Sequence, residues 1–199
     1  MKTAIVKYNA GNIRSVLNAL ERLGIEAILT DAPGELRRAE KVIFPGVGEA
    51  STAMKYLREK GLDEVIRRLE QPVLGICLGM QLLGSHSEEN ETECLGILPA
   101  RVVRLPNFDS RGEPVKVPHI GWNTVEGAGS QLFSEISSAS FFYFVHSFAM
   151  EINENTIART EHGMQFSSAV QCRNFFGVQF HPEKSGGVGE RLLRNFLRL

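Results

Sequence analysis
A cysteine at the end of a short apolar run, with glycine two residues before it and two after, is the residue best placed for covalent chemistry: Gly75-Ile76-Cys77-Leu78-Gly79, within PVLGICLGMQLLG. The run predicts a strand and the segment behind it a helix, so Cys77 falls on a strand-turn-helix elbow whose small flanking residues hold a nucleophile outward. A thiolate is favoured there by the positive end of the following helix and by any histidine able to take the proton. A buried structural cysteine at a glycine-bracketed strand end is the alternative, and partners elsewhere must decide.

Near the end of the chain, GVQFHPEKS offers such a partner. The residue before a proline is pushed toward extended backbone, and alternate side chains of extended chain share a face, so His181 and Glu183 should point the same way. The carboxylate would then fix the tautomer of the imidazole and stabilise its charged form, giving a Cys-His-Glu set: Cys77, His181 and Glu183. A third element, Pro45-Gly46-Val47-Gly48, closes the run KVIFPG. Its flexible backbone could turn N–H groups onto a tetrahedral oxyanion, or could simply make a strand-to-helix turn.

The elements that must bring these residues together are legible in the hydrophobic pattern. TAIVK, NIRSVLNALERLG, EAILT, KVIFPG and STAMKYLREKG alternate strand-like with amphipathic runs, and a further helix ends before QPVLGIC. Such alternation predicts a single α/β domain with a flavodoxin-like, mainly parallel central sheet and helices on both faces, whose ligands gather at the carboxyl ends of the strands. Cys77, His181 and the PGVG run all fall at such ends. In the second half ARVVRL, EPVKV, SFFYFVHS, TIART and SSAVQ read as antiparallel additions, before a parallel-type run FFGVQF and a closing helix around GERLLRNFLRL. The acidic stretch HSEENETE reads as a solvated loop.

Composition narrows the function classes. Lys+Arg 22 against Asp+Glu 23 leaves a formal charge of -1, which gives no reason to expect nucleic acid or an anionic membrane as partner. No stretch has the length of a membrane span, and the cytoplasm is the expected location. Cys77, Cys94 and Cys172 form neither a CxxC pair nor a disulfide framework. The histidines His86, His119, His146, His162 and His181 show no metal-ligand spacing, so neither metal nor cofactor is expected.

Together these residues resemble the class I, or triad, glutamine amidotransferases, whose signature G-x-C-x-G-x-Q is completed by Gln81 and followed late by H-P-E. The resemblance spans residues 1–199. Within the class it is greatest to the branch that supplies ammonia in histidine biosynthesis. It rests on YNAGNIRSV (Tyr8 to Val16), FPGVG (Phe44 to Gly48), GICLGMQLL (Gly75 to Leu83), VPHIGWN (Val117 to Asn123), YFVHS (Tyr143 to Ser147) and QFHPEKS (Gln179 to Ser185). The first, fourth and fifth segments carry the branch specificity.

The resemblance implies that Cys77 forms a γ-glutamyl thioester, that His181 shuttles protons and that Glu183 orients it. Backbone N–H groups at Val47, Gly48 and Leu78 would hold the oxyanion, while Gln81, Glu89 and Ser147 would hold the ends of glutamine. The implied partner is a cyclase subunit, a (βα)₈ barrel that receives the ammonia and, once loaded with its ribonucleotide, activates the glutaminase. Asn12, His119, Trp122, Asn123, Tyr143 and Lys184 are the candidates for that interface. Ala10 departs from the family, many of whose members have proline there. Two other readings stay open: a glutaminase serving another synthase, such as that of pyridoxal phosphate synthesis, and a non-catalytic redox sensor using Cys77.

Overall fold
The runs Thr3–Val6, Lys41–Gly46 and Val73–Cys77 are buried at every residue. Strands covered on both faces need apolar side chains on both, which is why these segments read as continuous rather than alternating hydrophobic runs. In a computed structural model describing residues 2–9, 11–127 and 129–199, they pair in parallel with Ala27–Thr30 on one flank and Phe175–Val178 on the other. The spatial order is Ala27–Thr30, Thr3–Val6, Lys41–Gly46, Val73–Cys77, Phe175–Val178. Strand order reverses beside Thr3–Val6, and a crevice opens at the carboxyl ends of strands flanking such a reversal. This is the mainly parallel architecture expected from the sequence.

Alternate side chains of these strands feed two cores. Ile5, Ile43, Leu74 and Ile76 pack against Val16 and Leu20 of helix Ile13–Arg22 and Leu192 and Phe196 of helix Gly186–Arg198. Ala4, Val6, Val42 and Phe44 pack on the other face against Met54 and Leu57 of helix Ala50–Glu59 and Val65 and Ile66 of helix Leu62–Arg67. The sheet is thus clamped from both sides, which keeps its carboxyl edge rigid enough to carry a site.

Beyond Phe175–Val178 the sheet turns antiparallel through Gln165–Cys172, Phe148–Met150 and Arg101–Arg104. A ribbon joined to this sheet through Thr156–Glu161 pairs His119–Gly127 with Ser140–His146, setting Trp122 opposite Tyr143 and His119 opposite His146. The run EPVKV forms no strand; its one ladder contact is an isolated bridge between Phe108 and Pro114. Pro114 and Pro118 bracket it, and a residue without an N–H cannot sustain a ladder. The VPHIGWN segment supplies the long strand instead. The acidic stretch is a small hairpin, His86–Ser87 with Thr92–Glu93, closed by a 3-10 turn at Glu89–Glu91. Ala10 lies outside the described residues. Among those described, no helix is long and apolar enough to cross a membrane.

Candidate active site
Cys77 ends its strand at φ 53, ψ −110, a conformation L residues rarely adopt. Holding a side chain there costs on the order of 1–3 kcal/mol, which the surrounding packing must supply. The glycines show how it does so. A Cβ on Gly75 would sit 2.8 Å from the backbone of Gly79 and Met80, and one on Gly79 would sit 1.8 Å from the carbonyl oxygen of Phe44. The spacing G-x-C-x-G is therefore a packing requirement of the elbow. Gly79→Ala should destabilise the chain by about 3 kcal/mol, read as a lowered denaturation midpoint. The helix after Cys77 is a single turn, Leu78–Gln81, shorter than the sequence pattern suggests, so its dipole adds less to a thiolate than a long helix would.

His181 and Glu183 are both buried, and Nδ1 lies 2.7 Å from Oε1. They share a face as expected, but through a 3-10 turn, Pro182–Lys184, entered from extended backbone at His181. Proline starts such a turn readily because its missing N–H would have had no partner there. A carboxylate only accepts, so Nδ1 carries the proton and Nε2, which closes no hydrogen bond among the described residues, is left as the base. Burial alone would lower the His181 pKa; the Cys77 sulfur and the Glu183 carboxylate outweigh it and push it up to about 10. The ring is thus poised to hold a proton taken from the sulfur.

Asn12, expected at an interface, also reaches this pair. Its Nδ2 donates to Glu183 Oε1, the same oxygen that accepts from His181. Its backbone, at φ 68, lies in the left-handed region that asparagine tolerates better than most residues. The carboxylate of the set is therefore held by two donors.

Cys77 opens onto a cleft of about 240 Å³ lined also by Val47, Gly48 and Leu78. Gln81, Glu89 and Ser147 line the same cleft, whereas His181 and Glu183 lie outside its lining. Glu89 Oε2 accepts from Ala50 N at 2.7 Å, and burial, with Glu49 adding, raises its pKa despite that bond. A substrate ammonium would relieve that penalty. Gln81 has less to offer a ligand than expected, because its Nε2 already donates to Phe148 O at 2.8 Å and Gln179 Oε1 at 3.0 Å. The Val47 carbonyl accepts from Gly11 N at 3.3 Å, and Gly48 follows at φ 127, where only glycine sits without strain. Gly46 is equally constrained, since a Cβ there would lie 2.1 Å from the hydroxyl of Tyr8, which itself donates to Pro45 O.

The remaining interface candidates divide. Trp122 is 55% exposed, as is Ile120, with Phe141 beside them at 57%. Tyr143 meets Trp122 edge-on at 6.1 Å, and Lys184 lies over the Tyr143 ring at 5.9 Å, making one continuous apolar and cationic face. Asn123 is half-buried and donates to Glu161 O at 3.0 Å. His119 faces inward: it is buried, stacks on His162 at 4.0 Å and bonds His146 Nε2 through Nδ1 at 3.0 Å. It therefore presents nothing to a partner. Burial lowers His119 to about 4 and His146 to about 3, so both are neutral at pH 7. Burial likewise pushes the Cys94 thiol up to about 11, leaving it inert.

Sequence reasoning missed Gln179, whose Nε2 lies 3.6 Å from Cys77 Sγ. Val178 pairs with Ile76 in the parallel register, so the next residue must fall beside Cys77. Only the pairing reveals that, although Gln179 stands in the quoted HPE segment.

The model of the family "Glutamine amidotransferase class-I" matches residues 4–199. A Bacteroides thetaiotaomicron protein described as imidazole glycerol phosphate synthase subunit HisH is 54% identical, with both chains covered completely. An Idiomarina loihiensis protein of the same description is 48% identical, over 100% of this chain and 98% of the other. Among solved structures, one described as a glutamine amidotransferase superposes with a TM-score of 0.74 at 26% identity, covering 98% of this chain and 97% of that one. A Thermotoga maritima structure, also described as a glutamine amidotransferase, shares the fold with a TM-score of 0.67 at 20% identity, over 100% of this chain and 83% of that one.

Proposed function
The chain belongs to the class-I glutamine amidotransferases, and from that premise we propose that it serves as the glutaminase subunit of an imidazole glycerol phosphate synthase, hydrolysing glutamine through Cys77, His181 and Glu183. The observation that carries the proposal is the junction of a strained elbow cysteine, a buried His-carboxylate pair and a cleft containing one carboxylate, at the carboxyl ends of adjacent parallel strands. Relatives named as subunits of that synthase match along their whole length, which sets the pathway.

In the reaction, His181 Nε2 takes the Cys77 proton and the sulfur attacks the γ-carboxamide carbon of glutamine. The oxyanion is held by N–H groups of Leu78 and of the Val47–Gly48 segment, worth about 10²–10³-fold per donor. Leu78 begins a helix, so its N–H has no intrahelical acceptor to leave. The tetrahedral intermediate collapses as His181 returns the proton to the leaving nitrogen; the C–N bond breaks, ammonia departs and a γ-glutamyl thioester stays on Cys77. Water, deprotonated by His181, then attacks the thioester carbon; the C–S bond breaks, glutamate leaves and His181 returns the proton to the Cys77 sulfur. Glu89 holds the substrate ammonium, and Ser147 and the Gln81 Oε1 complete its binding.

Ammonia passes to a cyclase subunit, a (βα)₈ barrel docked on the face of Trp122, Tyr143 and Lys184, in the cytoplasm. The Val47 carbonyl held by Gly11 N is the resting state of the oxyanion segment. Loading of the cyclase with its ribonucleotide turns the peptide, which Gly48 permits, so that glutamine is not hydrolysed without an acceptor.

Glutamate release measured for the chain alone, with the cyclase, and with cyclase plus ribonucleotide tests the proposal. Strong release only in the last mixture is expected; no response to the cyclase, with activity beside another synthase, would overturn the pathway. Trp122→Ala should weaken cyclase binding by about 2 kcal/mol, roughly thirtyfold in Kd, in a calorimetric titration, and leave the chain's own stability unchanged because the side chain is exposed.

A further inference from the structure
One carbonyl sets the direction of a hydrogen-bond chain that ends at the nucleophile. The Phe148 carbonyl can only accept, and it takes an N–H of Gln81 Nε2 at 2.8 Å. The second N–H of that nitrogen goes to Gln179 Oε1 at 3.0 Å. The Gln179 amide is thereby oriented, oxygen toward Gln81 and Nε2 toward the Cys77 sulfur at 3.6 Å. The same Phe148 carbonyl accepts from His146 Nδ1 at 2.8 Å, and His146 Nε2 from His119 at 3.0 Å, so the arm from the histidine cluster and the arm from Gln81 both donate into this one oxygen. Gln179 is completely buried and its own backbone N–H is tied to Ser168 O at 2.9 Å, so water does not compete for the amide.

We propose that Gln179 is a fourth catalytic residue, whose side-chain N–H stabilises the Cys77 thiolate; this rests on Cys77 being the nucleophile. As a thiol, Cys77 makes two hydrogen bonds among the described residues: Sγ lies 3.9 Å from the Val145 carbonyl, to which it donates, and accepts from Gln179. When the proton moves from Sγ to His181 Nε2, the Val145 oxygen faces an anion and becomes unfavourable, while the Gln179 N–H becomes a charge-assisted donor. The other titratable groups around Cys77 are His181 and Tyr8, with Glu89 and His146 across the cleft. None of these is a fixed neutral donor to sulfur, which is the property the oriented amide supplies.

The test is the pH profile of Cys77 alkylation by iodoacetamide in the full chain, read by peptide mass spectrometry, for wild type, Gln179→Met and Gln179→Glu. The Cys77 midpoint should rise by about one unit or more in Gln179→Met, and further in Gln179→Glu, which sets a carboxylate beside the sulfur. The kcat for glutamate release should fall about tenfold to a hundredfold while KM for glutamine stays within about twofold. Unchanged alkylation of Cys94 and Cys172 reports an intact fold; if Met disturbs it, Gln179→Leu, which also removes the donor without adding charge, decides. A Cys77 midpoint and kcat equal to wild type would overturn the role of Gln179. Glutamate release surviving in Cys77→Ala would instead overturn the nucleophile assignment beneath it.

Discussion
Cys77→Ala should abolish glutamate release, by about 10⁴-fold or more, in a coupled glutamate assay run with the cyclase and its ribonucleotide. The size of the effect follows from the chemistry: without sulfur no thioester forms, and what remains is the oxyanion site acting on a water molecule the cleft was not built to position. The loss is separable from unfolding. Alanine keeps the Cβ that the elbow already accommodates, the sulfur makes no disulfide, and its polar contacts are the long ones to Val145 and Gln179. The thermal midpoint should move little, and glutamine should still bind if Glu89 and Ser147, which line the cleft, hold its ends as proposed. Substantial turnover in this variant would leave the remaining groups of the cleft as the chemistry.

Much of this site is legible in the sequence because each motif carries its own geometry. Gly75 and Gly79 announce the elbow, and the continuous apolar runs Thr3–Val6 and Val73–Cys77 announce doubly covered parallel strands. What cannot be read is what depends on pairing between distant segments. Asn12 meets Glu183 and Gln179 meets Cys77 through three-dimensional neighbours that local spacing does not encode. His119 is an interface candidate through the VPHIGWN segment it shares with Trp122; along that strand the parity that exposes Ile120 and Trp122 turns His119 inward. EPVKV misleads for a different reason, its prolines outweighing an apolar pattern that fits a strand.

The second large effect is at Glu183, where two substitutions should separate two roles. Oε1 accepts from both His181 Nδ1 and Asn12 Nδ2, while Oε2 has no partner among the described residues. In Glu183→Gln the amide oxygen can keep the Oε1 position, because both neighbours are donors, so the tautomer of His181 survives and only the charge is lost. In Glu183→Ala both are lost. We expect kcat to fall by about 10²-fold for Gln and about 10⁴-fold for Ala, measured in the same assay. The His181 pKa, pushed up to about 10 by Cys77 and Glu183 against the effect of burial, should drop in both variants when followed by NMR of the imidazole. The sign is unambiguous, because removing an anion disfavours the protonated ring. Equal losses in the two variants would mean that the charge of Glu183 carries the whole effect and that its hold on the His181 tautomer adds nothing.

The most direct test of the central claim is to mix the chain with cyclase, its ribonucleotide and glutamine, quench in acid during turnover, and search the peptides for the glutamyl adduct. Ammonia release through Cys77 predicts a glutamyl thioester on the peptide containing Cys77, absent in Cys77→Ala and never on Cys94 or Cys172. Steady glutamate production with no adduct on Cys77, or with the adduct on another residue, would contradict it.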